Sequence, residues 1–115
     1  MRSLAILACS LLLTACAAAS GAQTPPIEAI YGLTATKAGV TVRLASNGCT
    51  KKSDLTVAVR ADPARPLLLV ARKHPDPCRS FVAGHTEVTW SYEELGLKPG
   101  DVFVLANPIT ADPSP

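Results

Sequence analysis

Strong charge is missing from this sequence. Eleven Lys and Arg stand against nine Asp and Glu in 115 residues, a net charge of +2. Arg2 lies just ahead of the amino-terminal apolar stretch, and without it the balance is ten against nine. A balance this even gives no basic face of the kind nucleic-acid binding needs. Aromatic residues are scarce, at one Trp, two Tyr and two Phe. The core must therefore rest on Val, Leu and Ile, with Trp90 its largest candidate. The apolar run Leu4 to Leu13 is interrupted only by Cys9 and Ser10. It falls well short of the roughly 20 residues a helix needs to cross a bilayer. Internal repeats and βαβ alternation are lacking, which argues against solenoids and parallel α/β folds. No Cys-x-x-Cys pair and no Gly-x-Ser-x-Gly elbow occurs, so thiol redox and serine-hydrolase chemistry have no local signature. Glu93 and Glu94 are adjacent, as in a solvated turn. Paired catalytic carboxylates must instead face each other across a cleft. Enzymatic activity is not expected.

What is present begins with an address. Met1-Arg2-Ser3 carries one positive charge ahead of the apolar run, and small residues follow it. That order reads as a secretory signal. Leu13-Thr14-Ala15-Cys16 then resembles the lipobox of bacterial lipoproteins. The resemblance covers residues 1–16 only and implies cleavage before Cys16, a diacylglyceryl group on its thiol and acylation of the new amine. Ala17 follows the cysteine, where Asp is the common signal for inner-membrane retention. The resemblance therefore implies transport to the periplasmic face of the outer membrane. Each buried CH₂ is worth ~0.8 kcal/mol, and more than one acyl chain makes a stable anchor. Ser20-Gly21-Ala22 offers a rival small-x-small cut before Gln23. Cleavage there would discard Cys16 and leave a soluble periplasmic protein. The expected organisation is a signal peptide at 1–15, a flexible tether at 16–26, a β domain at 27–107 and a loose tail at 108–115.

Within the domain, period-2 alternation dominates. Tyr31, Leu33 and Ala35 alternate with Gly32, Thr34 and Thr36. Lys37-Ala38-Gly39 makes a turn, and Val40, Val42 and Leu44 share the inner face of a second strand. Asn47-Gly48 opens a polar loop through Lys51 and Lys52. Leu55, Val57 and Val59 form a third strand. Leu67 to Ala71 is apolar on both faces, as a central strand would be. Ser80 to Ala83 is a short edge-strand candidate. Val88 and Trp90 point inward from a further strand. Ser91 and Glu94 fit a capping box and Gly96 a helix stop, which predicts one helical turn at Tyr92–Leu95. Lys98-Pro99-Gly100-Asp101 has Pro and Gly where a type II turn wants them. Asp101 to Ala106 reads as the last strand. The expected fold is all-β: a small antiparallel sandwich or rolled sheet of six to seven short strands, with one disulfide and a single helical turn.

Cys49 and Cys78 are the cysteines left in the domain. In an oxidising compartment they are expected to join as a structural disulfide, stabilising a small core by about 3–4 kcal/mol through loop closure. His74, Cys78 and His85 carry donors suited to zinc or copper. Cys78 would then have to stay reduced and no close-spaced ligand pair recurs, so a metal carrier stays a minor alternative and no cofactor is expected. If the disulfide forms, the 51–52 and 75–79 loops come together. Lys51, Lys52, Arg72, Lys73 and Arg79 would then make a modest basic patch for an anionic envelope polymer or an acidic protein surface. The ordinary alternative is that these charges only keep the domain soluble. The function expected overall is a non-catalytic binding or structural module of the envelope, anchored to the membrane through Cys16; the alternative is a soluble periplasmic accessory or inhibitor-like domain.

Overall fold

The structure is a computed structural model that describes residues 21, 26–81 and 84–113. The expected signal peptide, the lipidation residue Cys16 and most of the tether lie outside the described residues. Among the described residues no helix is long and apolar enough to cross a membrane.

Alternating apolar residues build six strands in two three-stranded sheets. The first sheet holds β1 (Ile30–Ala35), β2 (Val40–Ser46) and β5 (Gly84–Trp90), in the order β1-β2-β5 and antiparallel throughout. The second holds β3 (Leu55–Arg60), β4 (Leu67–Arg72) and β6 (Val104–Leu105), in the order β3-β4-β6. β3 and β4 are antiparallel, whereas the short β6 runs parallel to β4. Val40, Val42, Leu44, Val88 and Trp90 from the first sheet meet Leu55, Leu68 and Val70 from the second in one core.

One helical turn closes the core. α1 (Tyr92–Leu95) starts at Ser91, whose hydroxyl accepts from the Glu94 N–H, while the Glu94 carboxylate accepts from the Ser91 N–H. It ends at Gly96 with φ +65°, the left-handed conformation that glycine adopts without Cβ strain. Tyr92, Leu95 and Leu97 are buried beneath it. The Tyr92 hydroxyl donates to the Thr36 carbonyl at 2.6 Å, which ties α1 to the β1–β2 turn. In that turn Gly39 lies against the Trp90 carbonyl, where a Cβ would collide with backbone. The 98–101 turn forms as expected, with Asp101 N–H donating to the Lys98 carbonyl and Gly100 at φ +91°.

Four details differ from the sequence expectation. First, the inward residue of β1 is Ile30, fully buried, and Tyr31 does not share that face. A bulge between Ile30 and Gly32 shifts the register, so Ile30 opposes Leu44 while Leu33 opposes Val42. Second, the strand expected over 101–106 narrows to two residues, because only Val104 and Leu105 pair with β4. Third, β4 is central, but its second face is only half covered: Leu67 and Leu69 keep partial exposure. Fourth, residues 108–112, expected to be loose, lie along the first sheet. Ile30 N–H donates to the Pro108 carbonyl, Thr110 N–H donates to the Ile30 carbonyl, and Asp112 reaches Arg43. The edge strand expected at 80–83 falls partly outside the described residues; Ser80 and Phe81 are not in a strand, and Phe81 is fully exposed.

Candidate functional site

Cys49 and Cys78 are joined, with Cα atoms 5.5 Å apart, inside the range a disulfide spans. The bond brings the 46–51 loop against the 75–79 loop. Between the cysteines sits Asp76, flanked by Pro75 and Pro77. Its Oδ1 accepts from the Cys78 N–H at 2.9 Å, the local turn typical of Asp. Its Oδ2 accepts from the Ser46 hydroxyl at 3.0 Å, the Asn47 N–H at 2.8 Å, the Cys49 N–H at 3.2 Å and the Thr50 hydroxyl at 2.7 Å. Desolvation pushes the carboxyl pKa up, but the hydrogen bonds from Thr50, Cys78, Asn47 and Ser46 outweigh it. Asp76 is held well below the usual carboxylate range.

Thr50 links this hub to a second one. Its Oγ1 donates to Asp76 and accepts from Arg72 Nη1 at 3.1 Å. Arg72 ends β4 on the inward-facing side, and Nη2 donates to the Ala45 carbonyl at 2.9 Å. The rest of its fork grips Glu28, with Nη2 at 2.7 Å from Oε1 and Nε at 3.1 and 3.2 Å from the two oxygens. Both side chains are only 15% exposed. The hydrogen bond to Glu28 raises the Arg72 pKa against the cost of burial. A groove of about 310 Å³ runs past Glu28, Ser46, Arg72 and Asp76. A second, of about 480 Å³, lies on the other side of Pro75, between residues 48–51 and His74.

The expected basic patch is therefore divided. Arg72 is withdrawn into the ion pair with Glu28. Lys52 pairs with Glu94 at 2.7 Å and lies 5.9 Å from the centre of the Trp90 ring. Lys51, Lys73 and Arg79 remain exposed, and no ion pair among the described residues involves them. The histidines considered as metal ligands are apart in their partners: His74 faces Asp54 at 3.6 Å and His85 faces Asp112 at 3.1 Å. Cys49, Asp76 and Cys78 have donor atoms within 4.8 Å of one another. With the sulfurs bonded to each other and Asp76 engaged by five donors, that set offers no thiolate to a cation.

Asp76 and Glu28 are the residues sequence reasoning missed. The Asp-x-Cys spacing carries a local signal for the Asp76–Cys78 turn. Nothing local links Asp76 to Ser46 or Glu28 to Arg72, because each pair is far apart in the chain. The chain matches no known family model, no curated protein sequence and no solved structure.

Proposed function

We propose that the protein is an exported bacterial envelope lipoprotein, anchored through Cys16 at the periplasmic face of the outer membrane. Its β domain acts by binding or as a structural module, without catalysis. The joined Cys49–Cys78 pair carries this reading. Structural disulfides belong to oxidising compartments, the kind of destination that the amino-terminal residues address. The commitment of the site's charges supports a non-catalytic role. Asp76 is saturated by five donors and Arg72 is locked on Glu28, so neither is poised to exchange a proton or bind a reacting group. The exposed Lys51, Lys73 and Arg79 near the disulfide are the cations left to meet an anionic polymer or an acidic protein surface.

Metabolic labelling with radioactive palmitate tests the anchor. The wild-type chain should take up label and fractionate with outer membranes, and Cys16→Ala should lose both. An unlabelled wild-type chain whose mature form begins at Gln23 would reject the anchor in favour of a soluble periplasmic protein.

A further inference from the structure

Each sheet edge where pairing is incomplete exposes backbone groups that can recruit another strand. This fold covers the far side of β4 along its length and β1 at one residue. Along the far side of β4, Val104 N–H donates to the Pro66 carbonyl and Ala106 N–H to the Leu68 carbonyl. Next, the Asn107 side chain serves Val70, and then Glu28 N–H donates to the Val70 carbonyl and Arg72 N–H to the Pro26 carbonyl. β1 is covered at Ile30 by residues 108–110.

β3 is not covered. Lys73 N–H donates to the Asp54 carbonyl, so Asp54 and Lys73 are a hydrogen-bonded pair. Alternation along the ladder then turns the peptide groups of residues 54, 56, 58 and 60 toward β4. The groups of Leu55, Val57 and Val59 point out of the sheet. Leu55 N–H is used by the Lys52 carbonyl. Among the described residues no other backbone partner reaches the outward groups, although α1 lies nearby. Common protective devices are missing: the strand has no Pro, its alternation is unbroken, and its only charge is Arg60 at the end.

We propose that β3 pairs antiparallel with β3 of a second copy of this chain, across a two-fold axis at Val57, joining the two second sheets into one. The choice of a second copy rests on self-complementarity. Centred on Val57, each outward N–H of Val57 faces the outward carbonyl of Val57 in the other copy, and each Val59 N–H faces a Leu55 carbonyl. The same register sets Thr56 opposite Ala58, two small residues without charge. It also sets Asp54 of each copy, whose carboxylate accepts from the Lys51 N–H and lies 3.6 Å from His74, beside Arg60 of the other, so opposite charges approach twice. β5, another edge strand, lacks this property. Pairing it with itself about its middle residue would place Glu87 against Glu87, and like charges directly opposite are destabilising.

The test uses purified full-length protein in detergent at micelle excess. Thr56→Cys combined with Ala58→Cys places thiols on residues whose Cα atoms would lie about 4.5 Å apart across the axis, close enough to bond. Mild oxidation should convert most of this variant to a two-chain species on a non-reducing gel, while Thr89→Cys on β5 should stay single. Light scattering should give the wild type a protein mass twice that of one chain. Arg60→Glu, which sets like charges face to face, should return it to one chain with its circular dichroism unchanged. A wild type that stays single at every concentration overturns the proposal. So does a two-chain mass that survives Arg60→Glu with no 56–58 cross-link, or a cross-link to a different protein.

Discussion

Asp76 shows what one residue can organise when loops converge on it. Five donors from residues 46–50 and 78 share its two oxygens. Its pKa is lowered from an ordinary 3.8, so its contribution to stability is present above that value and is lost as pH falls toward the folded-state pKa. Glu94, lowered chiefly by its hydrogen bond with Lys52, acts in the same direction. The thermal midpoint should hold steady above about pH 5 and decline below about pH 4. Asp76→Asn should lower the midpoint at neutral pH and flatten that acid decline, read by circular dichroism melts across pH. Arg72, raised by Glu28, keeps its charge throughout this range, so it adds no slope there. Asn107 works differently, as a substitute for backbone. Its Oδ1 accepts from Val70 N–H at 2.8 Å, and its Nδ2 donates to the Val70 and Glu28 carbonyls at 2.6 and 2.7 Å. Asn107→Leu leaves the Val70 N–H and the Glu28 carbonyl without this partner, while the Val70 carbonyl keeps its bond from the Glu28 N–H. Buried groups left unpaired cost about 1–3 kcal/mol each, and a loss of about 3 kcal/mol in urea denaturation is the expected outcome.

At the scale of elements, the disulfide encloses the β3–β4 hairpin. The joined cysteines are 29 positions apart, so in the chain-entropy description closing that loop contributes about 3–4 kcal/mol by restricting the unfolded chain. Cys49→Ser with Cys78→Ser should lose about that much, measured by urea titration against the oxidised wild type. The Asp76 bonds to the Cys49 and Cys78 amides would persist in such a variant if the loops keep their course, so the fold should survive with a lower midpoint. Elements set by local chemistry were legible in advance. Ser91, Glu94 and Gly96 determine α1, and Val40, Val42 and Leu44 determine the inner face of β2. β6 was overread because its apolar run extends from Val102 to Leu105, while pairing depends on where β4 begins, at Leu67. The β1 face was misjudged at Tyr31 because a bulge shifts register without any marker in composition.

For the whole molecule, the decisive feature is how segments remote in sequence seal the sheet margins. Pro26 and Glu28 at one end of the domain and Asn107 at the other complete the same strand, β4, from the same side. Residues 108–112, which read as polar and proline-rich, are bound in turn to Ile30 and Arg43. Glu28 adds the partner that lets Arg72 be partly buried at the junction of both sheets and both loops. The result removes from the surface one cation that spacing alone had grouped with Lys51, Lys52, Lys73 and Arg79, and Lys52 is itself paired with Glu94.

The amino-acid order by itself determined where β2, β3 and β4 run, where the single helical turn starts and stops, and that Cys49 and Cys78 were candidates to pair. Those features follow from period, capping and cysteine count, each readable within a few residues or by simple tally. Only the tertiary structure decided that β6 runs parallel, that Asn107 stands in for a peptide group, and that Asp76 and the Glu28–Arg72 pair hold the loops. These depend on partners tens of residues away, and hydrogen bonding between such groups is selected by three-dimensional proximity, which no local pattern encodes.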